Sequence, residues 1–196
     1  MRDMLKLGLK LFLVCVIAAA ALGATYSVTK DPIARHMEEA DEAAKRAVCS
    51  DATDFAERRM DEFSASEAWN ESYENIKQVF DAKKDGKTVA YVIKVEGRGY
   101  NGAIAMTVGV DINGNFTCMT IDSMNETAGL GAKASNEEFR KQFAGKSTET
   151  ALTVTKNPPP NDTEIAALSG ATITTNAVTD AVNTAGAFAQ AFLINE

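Results

Sequence analysis

Residues 102–124 read GAIAMTVGVDINGNFTCMTIDSM and give the strongest indication of how this chain folds. Two runs rich in apolar and β-branched residues, 102–111 and 116–124, lie on either side of a short polar segment. The Asn113-Gly114 step in that segment tolerates the positive φ of a tight hairpin. A third run of the same kind, TVAYVIKVEG at 88–97, precedes them. These three runs predict an antiparallel sheet.

Two helices are predicted after these strands in the sequence. Ser135 and Glu138 have the spacing of a capping box, which predicts a short helix through Phe139 and Phe143. The C-terminal segment carries an apolar stripe of mostly small side chains at helical spacing. Its members are Ala177, Val178, Ala181, Val182, Ala185, Phe188, Ala189 and Phe192. The predicted fold class is therefore α+β, an antiparallel sheet with flanking helices.

The N-terminal region has the composition of a membrane span. Residues 11–28 contain no charge and would extend roughly 27 Å as a helix, just enough to cross the hydrocarbon core of a bilayer. Arg2, Lys6 and Lys10 precede this run, so the positive-inside rule places residues 1–10 in the cytoplasm and the later domain on the extracytoplasmic side. The alternatives are a cleaved signal peptide and a buried helix of a soluble protein.

Residues 29–85 are predicted as a membrane-proximal helical segment. Asp31 and Pro32 suit the cap and the first position of a helix, and apolar residues recur after them at steps of three or four. Aromatic residues scattered among charges over 51–80 fit a second helix or an irregular segment covering the core. The folded domain is accordingly predicted over 86–196.

Charge and residue types exclude several classes of function. Residues 31–196 hold 16 Lys or Arg and 26 Asp or Glu, a net charge of −10 without a basic cluster, which argues against nucleic-acid binding. With His36 as the single histidine, neither a Ser-His-Asp triad nor a multi-histidine metal site is expected. Cys49 and Cys118 allow either one disulfide bridge or two unpaired thiols.

The stretch LSGATITTNAV at 168–178 places hydroxyl side chains around a Gly-Ala step, directly before the C-terminal helix. A helix N-terminus offers unpaired N–H groups and the positive end of the dipole, so it can hold a phosphate without arginine. The candidate residues are Ser169, Gly170, Ala171, Thr172, Thr174 and Thr175. The alternative is that these hydroxyls simply cap the helix.

The segment SGATITTNAVTDAVNTAG resembles the flavin-attachment region of the FMN-binding domain, found in the Rnf electron-transport complex (its RnfG component) and in the sodium-pumping NADH:quinone oxidoreductase (its NqrC component). In that family a flavin transferase (ApbE) joins FMN through its phosphate to the threonine of a Ser/Thr-Gly-Ala-Thr motif. The resemblance implies a covalent FMN phosphoester on Thr172. The family usually has an aspartate six residues before this threonine, where this chain has Ala166; Asp162 and Glu164 are possible substitutes.

A second segment, NETAGLGAK at 125–133, is similar to the Glu-Thr-Pro-Gly-Leu-Gly segment of the family, whose loop lies by the flavin. Ala128 stands where the family has proline. The stretches GYNGAI and FRKQFAGK also match. The resemblance implies that further flavin-site residues are Glu126, Thr127, Gly129, Leu130 and Gly131.

The resemblance implies an electron-carrier subunit of a membrane-bound ferredoxin:NAD oxidoreductase that translocates ions. Its expected partners are the other Rnf subunits, ApbE during maturation and membrane lipid, with no nucleic acid. Because a flavin carries the redox chemistry itself, no catalytic side chain and no metal site are expected. Two alternatives remain: an NqrC-like component of the NADH:quinone oxidoreductase, and an anchored extracytoplasmic binding or sensing module.

Overall fold

A computed structural model describes residues 2–157 and 160–194. The chain divides into two compact units, Met1–Asp41 and Glu42–Glu196. Two 3-10 helices, Glu71–Asn75 and Gly131–Ser135, accompany the regular elements. The helices and strands are α1 (Arg2–Val48), β1 (Asp54–Arg58), α2 (Met60–Ser64), β2 (Ile76–Lys84), β3 (Lys87–Arg98), β4 (Ala103–Asp111), β5 (Phe116–Ser123), α3 (Glu137–Arg140), β6 (Thr153–Thr155), β7 (Glu164–Ala166) and α4 (Thr172–Phe192).

Helix α1 contains the predicted membrane span. Within the described residues it is the one helix that length and composition would allow to cross a membrane. The predicted helix start at Asp31 is wrong, because α1 runs without interruption through Pro32. An Asp-Pro pair suits a first helical turn, but inside a helix the proline removes a single backbone hydrogen bond. The long helix-forming segments on either side of Pro32 continue the helix despite that loss.

The five long strands form one antiparallel sheet in the order β1-β2-β3-β4-β5. The strands predicted at 88–97, 102–111 and 116–124 are confirmed as β3, β4 and β5. The predicted hairpin is also present, with Gly114 at φ 80°. The Asp111 carboxylate accepts the backbone N–H groups of Asn113 and Asn115 at 2.9 and 2.8 Å, which fixes the turn.

The helical segment predicted over 29–85 is wrong beyond the end of α1, because this region supplies strands β1 and β2 of the same sheet. Both faces of β2 are covered, so Val79 packs into one core and Phe80 into another. The alternation of apolar and polar residues that predicts a strand is therefore absent. Asp81, which lies between apolar positions, accepts a hydrogen bond from Arg58 Nε at 2.8 Å.

Helix α4 packs along one face of the sheet and forms the main core with it. The predicted apolar stripe is confirmed, and Phe188 is fully buried with its ring edge-on to Phe63 at 5.0 Å between centroids. Gly97 on β3 allows this close packing, since a Cβ there would lie 2.6 Å from the carbonyl oxygen of Ala177. The start of α4 is thereby held directly against the sheet.

The last turn of α1 packs on the opposite face of the sheet. Val48 and Cys49 are buried in a second cluster with Phe80 and Val92. The Thr117 hydroxyl donates to the Val48 carbonyl oxygen at 2.5 Å. Cys49 and Cys118 both contact this cluster and both are free thiols.

Short elements lead from the sheet to α4. The capping box predicted at Ser135 is wrong, because α3 begins at Glu137 with Asn136 at its N-cap position. Asn136 is itself a common N-cap residue, and the preceding residues close a separate 3-10 helix. Strands β6 and β7 form a two-stranded parallel sheet, and the residues after β7 form the turn that enters α4.

Candidate functional site

An open cleft of about 610 Å³ lies at the N-terminus of α4. Three segments form it: the β3–β4 hairpin loop, the loop after β5, and the turn entering α4. Its volume is within the range of about 300–1,000 Å³ that is typical of sites for small molecules and cofactors. The residues that line it are Tyr100, Glu126, Thr127, Leu130, Gly131, Gly170, Ala171, Thr172, Ile173 and Thr174.

The turn into α4 exposes the start of the helix. Gly170 adopts φ 76°, a conformation that strains residues with a Cβ, and the Ala171 N–H donates to the Leu168 carbonyl oxygen at 3.0 Å. Ala171 occupies the N-cap position and has no side-chain acceptor for the first helical N–H groups. The backbone N–H groups of the first turn therefore point, without a side-chain cap, toward the cleft end of the helix.

The threonine hydroxyls of this turn have different partners. Thr174 donates to Glu126 Oε2 at 2.7 Å. Thr175 donates to the Ala171 carbonyl oxygen at 2.9 Å and accepts the Leu168 N–H at 3.1 Å. The half-buried Thr172 makes no side-chain hydrogen bond to the described part of the chain. Thr174 and Thr175 thus hold the local structure together, whereas the Thr172 hydroxyl is available to a ligand.

The loop after β5 forms the opposite wall of the cleft. Gly129 adopts φ 79°, and the carbonyl oxygen of Thr127 accepts the N–H groups of Leu130 and Ala132. The Thr127 hydroxyl also accepts a hydrogen bond from Asn101 Nδ2 at 3.2 Å, which joins this loop to the hairpin loop. The two loops therefore support each other across the cleft.

Three large apolar side chains around the cleft are exposed. Tyr100, Leu130 and Ile173 have exposed fractions of 68%, 43% and 57%. In the described part of the compact unit that begins at Glu42, the one further large hydrophobic residue with comparable exposure is Ile112. A concentration of exposed apolar side chains around one concave site indicates a surface that binds an apolar or aromatic group.

The structure brings eight of the eleven predicted site residues to the cleft wall and leaves three outside it. Ser169, Gly129 and Thr175 do not line the cleft, and Thr175 is fully buried behind it. Sequence reasoning did not select Tyr100 and Ile173 as site residues. Tyr100 lies in a stretch that matches the family, and Ile173 follows the proposed attachment residue, but their exposure beside the cleft could not be read from the sequence.

The structure also locates the position at which the family usually has aspartate. Ala166 ends β7, and its N–H donates to Gln142 Oε1 at 2.7 Å. Of the two possible substitutes, the Glu164 carboxylate accepts the Asn161 N–H at 3.1 Å, and Asp162 lines a separate surface depression with Lys146. Neither Asp162 nor Glu164 lines the cleft that contains Thr172.

Comparisons with known proteins agree with this geometry. Residues 99–187 match the FMN-binding domain, and residues 1–47 match the RnfG N-terminal region. Among solved structures, the C component of the Na+-translocating NADH-quinone reductase from Parabacteroides distasonis has the same fold, with a TM-score of 0.53 and 25% sequence identity. That likeness covers 61% of this chain and 63% of the other. The compact unit that begins at Glu42 therefore has the fold of an FMN-binding domain.

Two curated relatives extend the similarity over almost the whole chain. The G component of the Na+-translocating ferredoxin:NAD+ oxidoreductase complex of Acetobacterium woodii is 38% identical over 91% of this chain and 87% of its own length. The G component of the proton-translocating complex of Clostridium ljungdahlii is 35% identical over 89% of this chain and 85% of its own length. The chain belongs to the RnfG family, whose members are subunits of the ion-translocating ferredoxin:NAD+ oxidoreductase (Rnf) complexes.

The residues at the cleft suit FMN. The Thr172 hydroxyl, which makes no side-chain hydrogen bond within the described residues, and the uncapped N–H groups of the helix match a phosphate. The exposed apolar side chains of Tyr100, Leu130 and Ile173 match a planar aromatic ring system. The volume of the cleft is sufficient for a cofactor of this type.

Proposed function

We propose that this chain is the electron-carrier subunit of a membrane-bound, ion-translocating ferredoxin:NAD oxidoreductase, with FMN joined to Thr172 by a phosphoester bond. The observation that carries the proposal is the Thr172 hydroxyl, which has no side-chain hydrogen bond within the described residues and lines a cleft at an uncapped helix N-terminus. The names of the two relatives support the assignment to a complex of this kind.

The residues of the cleft have distinct tasks in this proposal. The first-turn N–H groups of α4 hold the phosphate, and Gly170 allows the phosphate to approach the main chain closely. Tyr100, Leu130 and Ile173 contact the ring system and shield part of it from water. When bound, FMN supplies the capacity to accept and donate electrons. The chain itself needs no acid-base pair for an electron relay.

The proposed location follows from α1 and from the charges before it. The apolar part of α1 spans the membrane at 11–28, with residues 1–10 in the cytoplasm and the FMN-binding domain on the extracytoplasmic side. A covalent bond suits this location, because dissociated FMN would be lost to the surroundings. The proposed partners are the other subunits of the complex, membrane lipid and, during maturation, the flavin transferase ApbE.

Intact-protein mass spectrometry tests the covalent bond. The full-length chain is produced with and without the transferase, together with Thr172→Ala and a control, Thr184→Ala. Thr184 lies on the same helix roughly 18 Å further along, and its hydroxyl bonds to the Asp180 carbonyl oxygen. We expect a mass increase of one FMN less one water in the wild type and in the control, with a fluorescent band on a denaturing gel.

The Thr172→Ala variant should show neither the mass increase nor the fluorescence. A wild-type protein that stays unmodified in the presence of the transferase would contradict the proposal and would favour an anchored binding or sensing module. An NqrC-like role is the second candidate, favoured by the fold shared with the Parabacteroides distasonis protein. Purification of the native complex distinguishes the two, since the Rnf assignment requires ferredoxin:NAD oxidoreductase activity in the assembly that contains this chain.

A further inference from the structure

We propose that Glu126 is a positioning residue that holds the three walls of the cleft together, and that its negative charge lowers the reduction potential of the bound flavin. This inference depends on the proposed function, because it requires the flavin to lie in the cleft.

The Glu126 carboxylate joins the three segments that form the cleft. Oε1 accepts the backbone N–H of Asn101 at 3.0 Å, in the hairpin loop between β3 and β4. Oε2 accepts the Thr174 hydroxyl at 2.7 Å, in the first turn of α4. Glu126 itself belongs to the loop after β5. This single side chain therefore connects the hairpin loop, the β5 loop and the start of α4.

The surrounding backbone is shaped to fit this carboxylate. A Cβ on Gly131 would lie 2.5 Å from Oε2, and a Cβ on Gly99 would overlap Oε1. Both glycines thus leave room for the two carboxylate oxygens, where larger residues would displace them. Glutamine has the same shape, and its oxygen can accept the Asn101 N–H while its NH2 group donates to the Thr174 hydroxyl. Alanine would leave the Asn101 N–H and the Thr174 hydroxyl without these partners.

The charge of Glu126 is isolated within the cleft. Among the described residues that line the cleft, Glu126 is the one acidic residue, and no Lys or Arg is present. The carboxylate lies beside the third residue of α4, where it opposes the positive end of the helix dipole. An electron added to a flavin in this cleft therefore meets a fixed negative charge, which the helix dipole offsets in part and which no lining Lys or Arg neutralises.

The expected effect of the Glu126 charge on the redox equilibrium of the flavin follows from Coulomb's law. Two unit charges roughly 10 Å apart, at an effective dielectric constant of about 20, change an equilibrium on the order of tenfold. Removal of the Glu126 charge should therefore make the midpoint potential more positive. At the wild-type midpoint, the ratio of reduced to oxidised flavin should rise by about that factor.

The experiment compares full-length, flavin-loaded wild type with Glu126→Gln, Glu126→Ala and Glu149→Gln in detergent. Glu149 is the charge control, because it lines a separate surface depression with Ala187 and Gln190 of α4, roughly 20 Å from the start of the helix. Intact mass first establishes the flavin content of each variant, and a spectroelectrochemical titration then gives its midpoint potential. Thermal unfolding of each flavin-free protein reports on the positioning role independently of the flavin.

We expect Glu126→Ala to lower both the thermal midpoint and the flavin content. Glu126→Gln should keep both close to their wild-type values and should shift the midpoint potential to a more positive value. Glu149→Gln should behave as wild type. Loaded Glu126→Gln with an unchanged potential would overturn the charge effect, and Glu126→Ala with unchanged stability would overturn the positioning role. A wild type that carries no flavin would instead count against the proposed function.

A second variant covers the case in which Glu126→Gln does not fold. Thr127 is exposed and lines the same wall of the cleft. Thr127→Lys adds a positive charge beside Glu126 and should also raise the potential. A loaded Thr127→Lys protein with the wild-type potential would mean that the flavin does not respond to charge on this wall, which would overturn the proposal.

Discussion

Thr172 and Thr175 lie one helical turn apart, and the same substitution should have opposite effects at the two positions. Valine has nearly the shape of threonine without its hydroxyl. In Thr175→Val the Leu168 N–H loses the acceptor it has at 3.1 Å, in a site where Thr175 is fully buried. An unsatisfied buried donor costs about 1–3 kcal/mol. Because Leu168 is only half-buried, the free energy of unfolding should fall by about 1–2 kcal/mol.

The Thr172→Val variant removes a hydroxyl without a side-chain hydrogen bond in the described chain, so its stability should stay within about 0.5 kcal/mol of wild type. For a chain of this size, about 2–4 °C of thermal midpoint corresponds to 1 kcal/mol. Thr175→Val should therefore lower Tm by roughly 2–8 °C, and Thr172→Val by less than about 2 °C.

Thermal unfolding of the flavin-free, full-length proteins in detergent measures these shifts, and the transferase is left out so that the cofactor cannot stabilise one variant. In a parallel preparation with the transferase, Thr175→Val should gain the FMN mass and Thr172→Val should not. The reasoning is refuted if Thr172→Val destabilises the protein as much as Thr175→Val, since its hydroxyl would then hold the fold together.

Three further predictions concern the core, the turn and a buried thiol. Phe188→Ala removes a fully buried ring and should lower the free energy of unfolding by about 3–5 kcal/mol, measured by urea titration. Gly170→Ala should lower the free energy of unfolding by about 1–2 kcal/mol, because the residue has a positive φ. It should also reduce FMN incorporation, measured by intact mass, because the new Cβ would lie 3.0 Å from Leu130 Cδ2 at the cleft. The control Gly145→Ala has a similar φ but open space around the Cβ, so it should lower stability without reducing incorporation. Burial raises the pKa of the Cys49 thiol, so alkylation at pH 8, mapped by peptide mass, should be much slower in the native protein than in urea, and equal rates would contradict this.

The sheet shows which parts of the fold could be predicted from the sequence. Strands β3, β4 and β5 are long, rich in β-branched residues and separated by recognisable turns, so their existence and pairing were predicted. Strand β2 was missed because both its faces are buried and register shifts interrupt its pairing with β3. Asp81 in the middle of β2 also suggests an exposed segment. The residue that pairs with this carboxylate, Arg58, lies 23 positions earlier, so the pairing could not be recognised from the local sequence.

The candidate site shows a similar division. Thr172 is proposed as the attachment residue because the SGAT segment resembles the motif of the family, whereas the Gly-Ala step before a small-residue helix indicates only a helix start that could hold a phosphate. The different tasks of Thr174 and Thr175 could not be predicted, because the Thr174 partner, Glu126, lies 48 positions away and is brought near by the fold. The exposed rim at Tyr100 and Ile173 likewise depends on how the loops meet.

The lack of a side-chain hydrogen bond at the Thr172 hydroxyl, within the part of the chain that the structure describes, has a consequence for the order of maturation. Since no native side-chain hydrogen bond within the described residues has to break when this oxygen is esterified, the polypeptide can complete its folding before it receives the cofactor. Under the proposed chemistry, a cell short of riboflavin would accumulate a well-folded, colourless precursor that waits for its prosthetic group. Electron-transfer capacity would then be limited by vitamin supply and not by protein turnover.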